Sequence, residues 1–121
     1  MATSLVIAPV EPGRAEWWRR LAEHLRTDQA PRRAEWQRRH DLSRITVWVT
    51  PKDQVLLLTE GRELIEVLHR MTTSEDDFDQ WLCSWLRQLV GGDPVDWAVD
   101  HGVEAVLDTK PDGAGWRGWP R

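Results

Sequence analysis

Two histidines sit where a proton could be passed to or from a bound molecule. His24 follows Leu21 by three positions and Trp17 by seven, at the edge of an apolar helical stripe, and an imidazole near neutral pKa at a pocket rim serves as general acid or base. His69 stands four residues after Ile65 and is read as turned inward on a second helical pattern. The alternative for each is a partly buried ring satisfied by a neighbouring carboxylate. His40 and His101 fall between the expected elements and read as solvated.

Other chemistries lack their residues. Glu66 and His69 form an i, i+3 pair, but the second such pair that a di-metal bundle site demands is missing, so no metal is expected. Cys83 is the one cysteine, so no disulfide forms within the chain, and no histidine stands at a local spacing that would activate its thiol. With no Gly-rich phosphate loop, Ser-centred elbow or dinucleotide fingerprint, nucleotide chemistry is disfavoured and no cofactor is expected.

Tryptophan is the outlying count, nine of 121 residues beside one phenylalanine and no tyrosine. An indole carries a large apolar surface and one N–H donor, so nine of them line a bulky core, a self-association surface or a pocket for a flat apolar ligand. Trp17, Trp48, Trp81 and Trp85 are the expected pocket walls. Trp81 and Trp85 share one face of a helix, where core packing is the commoner role. Trp48 has the strand parity of Thr46 and Thr50, opposite to Ile45, Val47 and Val49, and is either a pocket wall or a dimer-interface anchor.

The elements that would hold these side chains follow from periodicity and turn chemistry. Residues 3–10 alternate as a strand and stop at Glu11-Pro12-Gly13, a turn in which Pro fixes φ and Gly permits φ above zero. Residues 14–26 form an amphipathic helix with Trp17, Trp18, Leu21, Ala22 and Leu25 as its stripe. Residues 28–41 read as a weakly packed helix or ordered loop, opened by Pro31 and anchored by Ala34 and Trp36. Residues 45–49 and 55–58 are apolar on both faces and are joined by Thr50-Pro51-Lys52-Asp53-Gln54. That makes an antiparallel hairpin covered on both sides.

Residues 61–71 form a helix through Leu64, Ile65, Leu68 and Met71. The strongest helix follows, with Ser74 as N-cap, Phe78, Trp81, Leu82, Trp85, Leu86 and Leu89 as its stripe, and Gly91-Gly92 as its stop. Residues 96–99 make one helical turn and residues 103–108 a last strand, before a Pro- and Gly-rich tail, 109–121, that carries Trp116 and Trp119. The expected fold is α+β: one domain over residues 1–108, a ferredoxin-like βαββαβ sandwich with a four-stranded antiparallel sheet and helices on one face, interrupted by the 28–41 insert.

The formal charge of −4 is unevenly spread. Residues 14–44 hold nine arginines against five acids, and residues 53–108 hold thirteen acids against three arginines. A basic half can attract an acidic partner such as a carrier protein or nucleic acid, but solvated helix faces that neutralise one another account for it more simply. Stacking on bases needs surface aromatics among the arginines, and Trp36, between Arg32-Arg33 and Arg38-Arg39, is the only such place. No nucleic-acid partner is expected. The opening residues lack a basic n-region and their apolar run is short, so neither a secretion signal nor a membrane is expected, and a reducing cytoplasm is the default compartment.

Three stretches resemble one known group. Glu11 to Trp18 after the opening strand, the block from Arg44 through Trp48 with Val55 to Glu60, and Ser74-Glu75-Asp76-Asp77-Phe78-Asp79-Gln80-Trp81 are similar to small bacterial proteins of the dimeric α+β barrel, or antibiotic-biosynthesis-monooxygenase-like, superfamily. The resemblance covers residues 3–108 apart from the 28–41 insert. It implies that two four-stranded sheets pair across a homodimer into a barrel, with a pocket between sheet and helices. It also implies a flat hydrophobic substrate, since relatives include cofactor-free monooxygenases of aromatic polyketides, polyketide cyclases and haem-degrading enzymes. No subfamily's catalytic set matches.

The expected function is therefore a small-molecule enzyme of bacterial secondary metabolism, acting on a flat aromatic or polyketide-like substrate by cyclisation, isomerisation or cofactor-free oxygenation. His24 or His69 would transfer the proton. The alternative is a non-catalytic ligand-binding or interaction protein that uses its tryptophans for assembly.

Overall fold

The computed structural model describes residues 2–105. The end of the expected last strand and the tail with Trp116 and Trp119 lie outside the described residues.

Strand β1 (Ala2–Pro9) leads into helix α1 (Ala15–Arg26) and helix α2 (Ala30–Arg39). Strands β2 (Leu42–Val49) and β3 (Gln54–Gly61) follow, then helices α3 (Leu64–Thr72), α4 (Asp77–Val90) and α5 (Pro94–His101), and a two-residue strand β4 (Gly102–Val103). The sheet is four-stranded in the order β2-β3-β1-β4, with every pair antiparallel. The domain is α+β.

The β2–β3 hairpin closes as its turn residues demand. Thr50 donates its backbone N–H to Gln54 O at 2.8 Å, and Asp53 takes the left-handed conformation, φ 56, which a short polar side chain tolerates. At the other end of β3 the chain needs a glycine. Gly61 has φ 127, and a Cβ there would stand 2.0 Å from the Asp41 carbonyl oxygen, so any side chain would push the start of β2 away.

Register places the two sheet faces. Val6 and Ala8 of β1 and Val55 and Thr59 of β3 are buried, and Ile45, Val47, Val49 and Leu57 pack against the same core. Their strand neighbours Leu5, Ile7, Leu56 and Leu58 are only partly buried, and Trp48, opposite Leu56, is 44% exposed. Side chains alternate across a strand. The helices therefore cover the first face and leave the second, apolar one open.

Packing bears out some expectations and corrects others. The 28–41 segment is a ten-residue helix with Pro31 in its first turn, and Trp36 is only 7% exposed in the core; one indole against sheet and helices gives this short helix its cover. On α3 the inward positions are Leu64, Val67, Leu68 and Met71, while Ile65 is exposed. The cap of α4 is Asp76, whose Oδ1 accepts from the backbone N–H groups of Phe78 and Asp79 at 2.9 and 3.0 Å. Ser74 sits two residues earlier, its Oγ accepting from Asp76 N. Gly91 ends α4 in the left-handed region, φ 72. The turn at 96–99 is an eight-residue helix capped by Asp93, whose Oδ1 accepts from Val95 N at 2.9 Å. Strand β4 starts at Gly102 and, among the described residues, pairs through Leu5↔Val103 and Val6↔Gly102, with Glu104 and Ala105 outside the strand.

Candidate functional site

Helices α1 and α4 bring four of the six expected site residues together. The His24 ring lies 6.2 Å from the Trp81 ring and 5.9 Å from the Trp85 ring, and Trp17 lies 5.9 Å from Trp85. Arg14 and Arg20 each place a guanidinium over Trp17, at 5.9 and 5.5 Å. One turn beyond His24, Asp28 Oδ1 accepts from its Nδ1 at 3.0 Å, which orients the ring, and Nε2 has no hydrogen-bond partner among the described residues. This hydrogen bond is also the main cause that holds the Asp28 carboxyl below the usual carboxylate range. The geometry is that of an oriented base, but the side chains are 45% and 57% exposed, and water screens the pair.

The other two residues stand elsewhere. Trp48 is on the open sheet face, across the sheet from the helices. His69 is exposed on α3 and does not point into the core as expected, because the helix turns Val67, Leu68 and Met71 inward instead.

Between sheet and helices lies an apolar cavity of about 70 Å³. Its wall draws Trp18, Leu21 and Trp36 from α1 and α2, Val47 and Leu57 from the hairpin, and Met71 from α3. None of the wall residues is titratable. Thr59 and Trp36 belong to that wall, and Thr59 Oγ1 and Trp36 Nε1 are buried without a hydrogen-bond partner among the described residues.

A second Asp–His pair, not expected from the sequence, is buried between α2 and α4. His40 was expected in solvent; it is 3% exposed, and Asp79 is 1% exposed. His40 donates from Nε2 to Asp79 Oδ1 at 3.2 Å, and Arg39 Nη1 donates to Asp79 Oδ2 at 2.8 Å. Arg39 also reaches Asp76 Oδ1 at 3.2 Å. Burial, partly offset by Asp79, pushes the His40 imidazole below its ordinary pKa. Its Nδ1 is buried with no hydrogen-bond partner among the described residues. The signal was present in the spacing: Asp79 precedes Leu82 by three and Leu86 by seven, and His40 follows Trp36 by four, so each polar residue lies on an apolar helical stripe.

Cys83 is buried, and burial raises its thiol pKa, which works against thiolate chemistry. Trp36, the one indole flanked by arginine pairs, is a core residue against Phe78 and His40 and offers no stacking platform. Among the described residues no group of three or more His, Cys, Asp or Glu could hold a metal ion, and no helix is long and apolar enough to cross a membrane.

No family model, curated protein or solved structure matches the chain.

Proposed function

We propose that the protein is a ferredoxin-like homodimer that binds a small hydrophobic molecule between its sheet and its helices. The observation that carries the reading is the apolar cavity, since native interiors are packed with few voids and each one forgoes dispersion contacts. At about 70 Å³ it is smaller than the ~150 Å³ engineered void that takes a benzene ring. As it stands it takes only the end of a slim chain and not a fused-ring polyketide, and a longer stretch of chain or a ring system enters only if the helices move. Binding of 1-hexanol, followed by tryptophan fluorescence and by a rise in melting temperature, tests it. Saturable binding lost in Leu57→Phe, which fills the cavity while far-UV circular dichroism stays intact, is the expected result; no binding to the unmodified chain overturns it.

The strand order β2-β3-β1-β4 and the helices packed on one face support the ferredoxin-like arrangement. The open face supports the homodimer. Leu5, Ile7, Trp48, Leu56, Leu58 and Val103 form a contiguous apolar surface across four strands, a patch that soluble monomers seldom leave exposed. Sedimentation is expected to give twice the chain mass, and Trp48→Asp to give monomers or aggregates. A soluble monomer of the unmodified chain would exclude the barrel.

The catalytic reading has its own support in His24. Oriented by Asp28 and flanked by Trp81 and Trp85, it would serve as proton-transfer group for a flat aromatic substrate lying on the α1–α4 surface, by cyclisation, isomerisation or cofactor-free oxygenation. An unchanged rate in both His24→Ala and His69→Ala with an authentic substrate excludes histidine acid–base chemistry.

A further inference from the structure

The cavity shares part of its wall with a surface groove. Beside it, between α1 and β2 at the edge of the sheet, runs a groove of about 330 Å³ lined by Trp18, Arg19, Ala22, Arg26, Val47 and Val49. Trp18 and Val47 line both spaces, so the apolar interior and the groove share a wall. The groove is apolar at its base and cationic at its rim.

Helical spacing explains the rim. Arg19, Ala22 and Arg26 fall at i, i+3 and i+7 of α1, which puts two guanidinium groups on one face two turns apart with a methyl group between them. A small residue there leaves room where a longer side chain would close the groove. The two arginines face Glu16 at 3.6 Å and Glu23 respectively. All four side chains are more than half exposed, and exposed pairs of that kind contribute little and exchange readily. A carboxylate arriving in the groove can therefore take over guanidinium donors already positioned, in a fork geometry that suits two oxygens.

We propose that the ligand is a small amphiphilic anion, a short-chain carboxylate, whose apolar body enters the cavity past Trp18 and Val47 while its head is held by Arg19 and Arg26. This class of ligand follows only if the cavity is the binding site. In this arrangement the interior, whose wall holds no charged group, selects the tail, and the arginines of the adjoining groove select the charge. A neutral molecule of the same length gains the first and not the second.

The test compares hexanoate with 1-hexanol on the full chain by isothermal titration calorimetry. Hexanoate is expected to bind about tenfold more tightly, the equivalent of one charge-assisted hydrogen bond at an exposed site. The double variant Arg19→Gln, Arg26→Gln is expected to erase that preference and leave hexanol affinity unchanged. Equal affinities for the two probes on the unmodified chain overturn the anion assignment while the cavity reading stands. Hexanoate binding that survives Leu57→Phe also overturns it, because the tail is then not in the cavity. Failure of both probes removes the cavity reading together with this one.

Discussion

The molecule contains the same pair twice. His24 with Asp28 and His40 with Asp79 are both imidazole–carboxylate hydrogen bonds, 3.0 and 3.2 Å long. The first lies at the C-terminal end of α1 with both side chains about half exposed, and the second is closed between α2 and α4 with exposures of 3% and 1%. In water each partner of the first pair can be hydrated instead, so little is lost when they part. In the interior no such exchange exists. Arg39 and His40 both donate to Asp79 there, and removing one member strands the others. Distance alone does not rank two ion pairs; the solvent each one has given up does.

Asp79→Ala is expected to produce the largest effect, a loss of about 3–5 kcal/mol in urea unfolding, the usual cost of breaking a buried pair. A loss near that of a surface substitution would mean that α2 and α4 hold each other through Trp36 and Phe78 alone.

The next effect is a pH dependence. Burial lowers the His40 pKa below its unfolded value of 6.5, so the unfolded chain takes up the proton first. The stability tied to neutral His40 is complete above about pH 6.5 and is lost as pH falls from there toward the folded value, with a slope of at most about 1.4 kcal/mol per pH unit. His40→Gln keeps an N–H for Asp79 but does not titrate. Urea midpoints of the two chains should therefore diverge on acidification, and parallel curves would show that His40 is not protonated on unfolding.

The smallest effect is expected at the exposed pair. Asp28→Ala should leave the unfolding midpoint unchanged within error, at low salt and at high salt alike, since both side chains are already half in water. A measurable loss would show that Asp28 holds the end of α1 through more than its bond to His24, the contact from Thr27 Oγ1 at 3.2 Å being the first to examine.

Local sequence was sufficient for everything that depends on local geometry. The Pro-Gly turn before α1, the hairpin from β2 to β3, the α4 stripe and its Gly91 stop are properties of a few consecutive residues, and they appear where periodicity places them. The apolar character of both sheet faces was equally plain in Val47-Trp48-Val49 and Leu56-Leu57-Leu58. Tertiary packing decided which parity meets the helices. Val47 and Leu57 face the core and Trp48 and Leu56 the open side, a choice that a two-residue period leaves degenerate. Packing also gave α2 a place in the core through Trp36, turned His69 outward, and buried His40 against a carboxylate thirty-nine residues away. A helical stripe records that a face needs cover. Which partner supplies it depends on how the elements are folded together, and no local period carries that information.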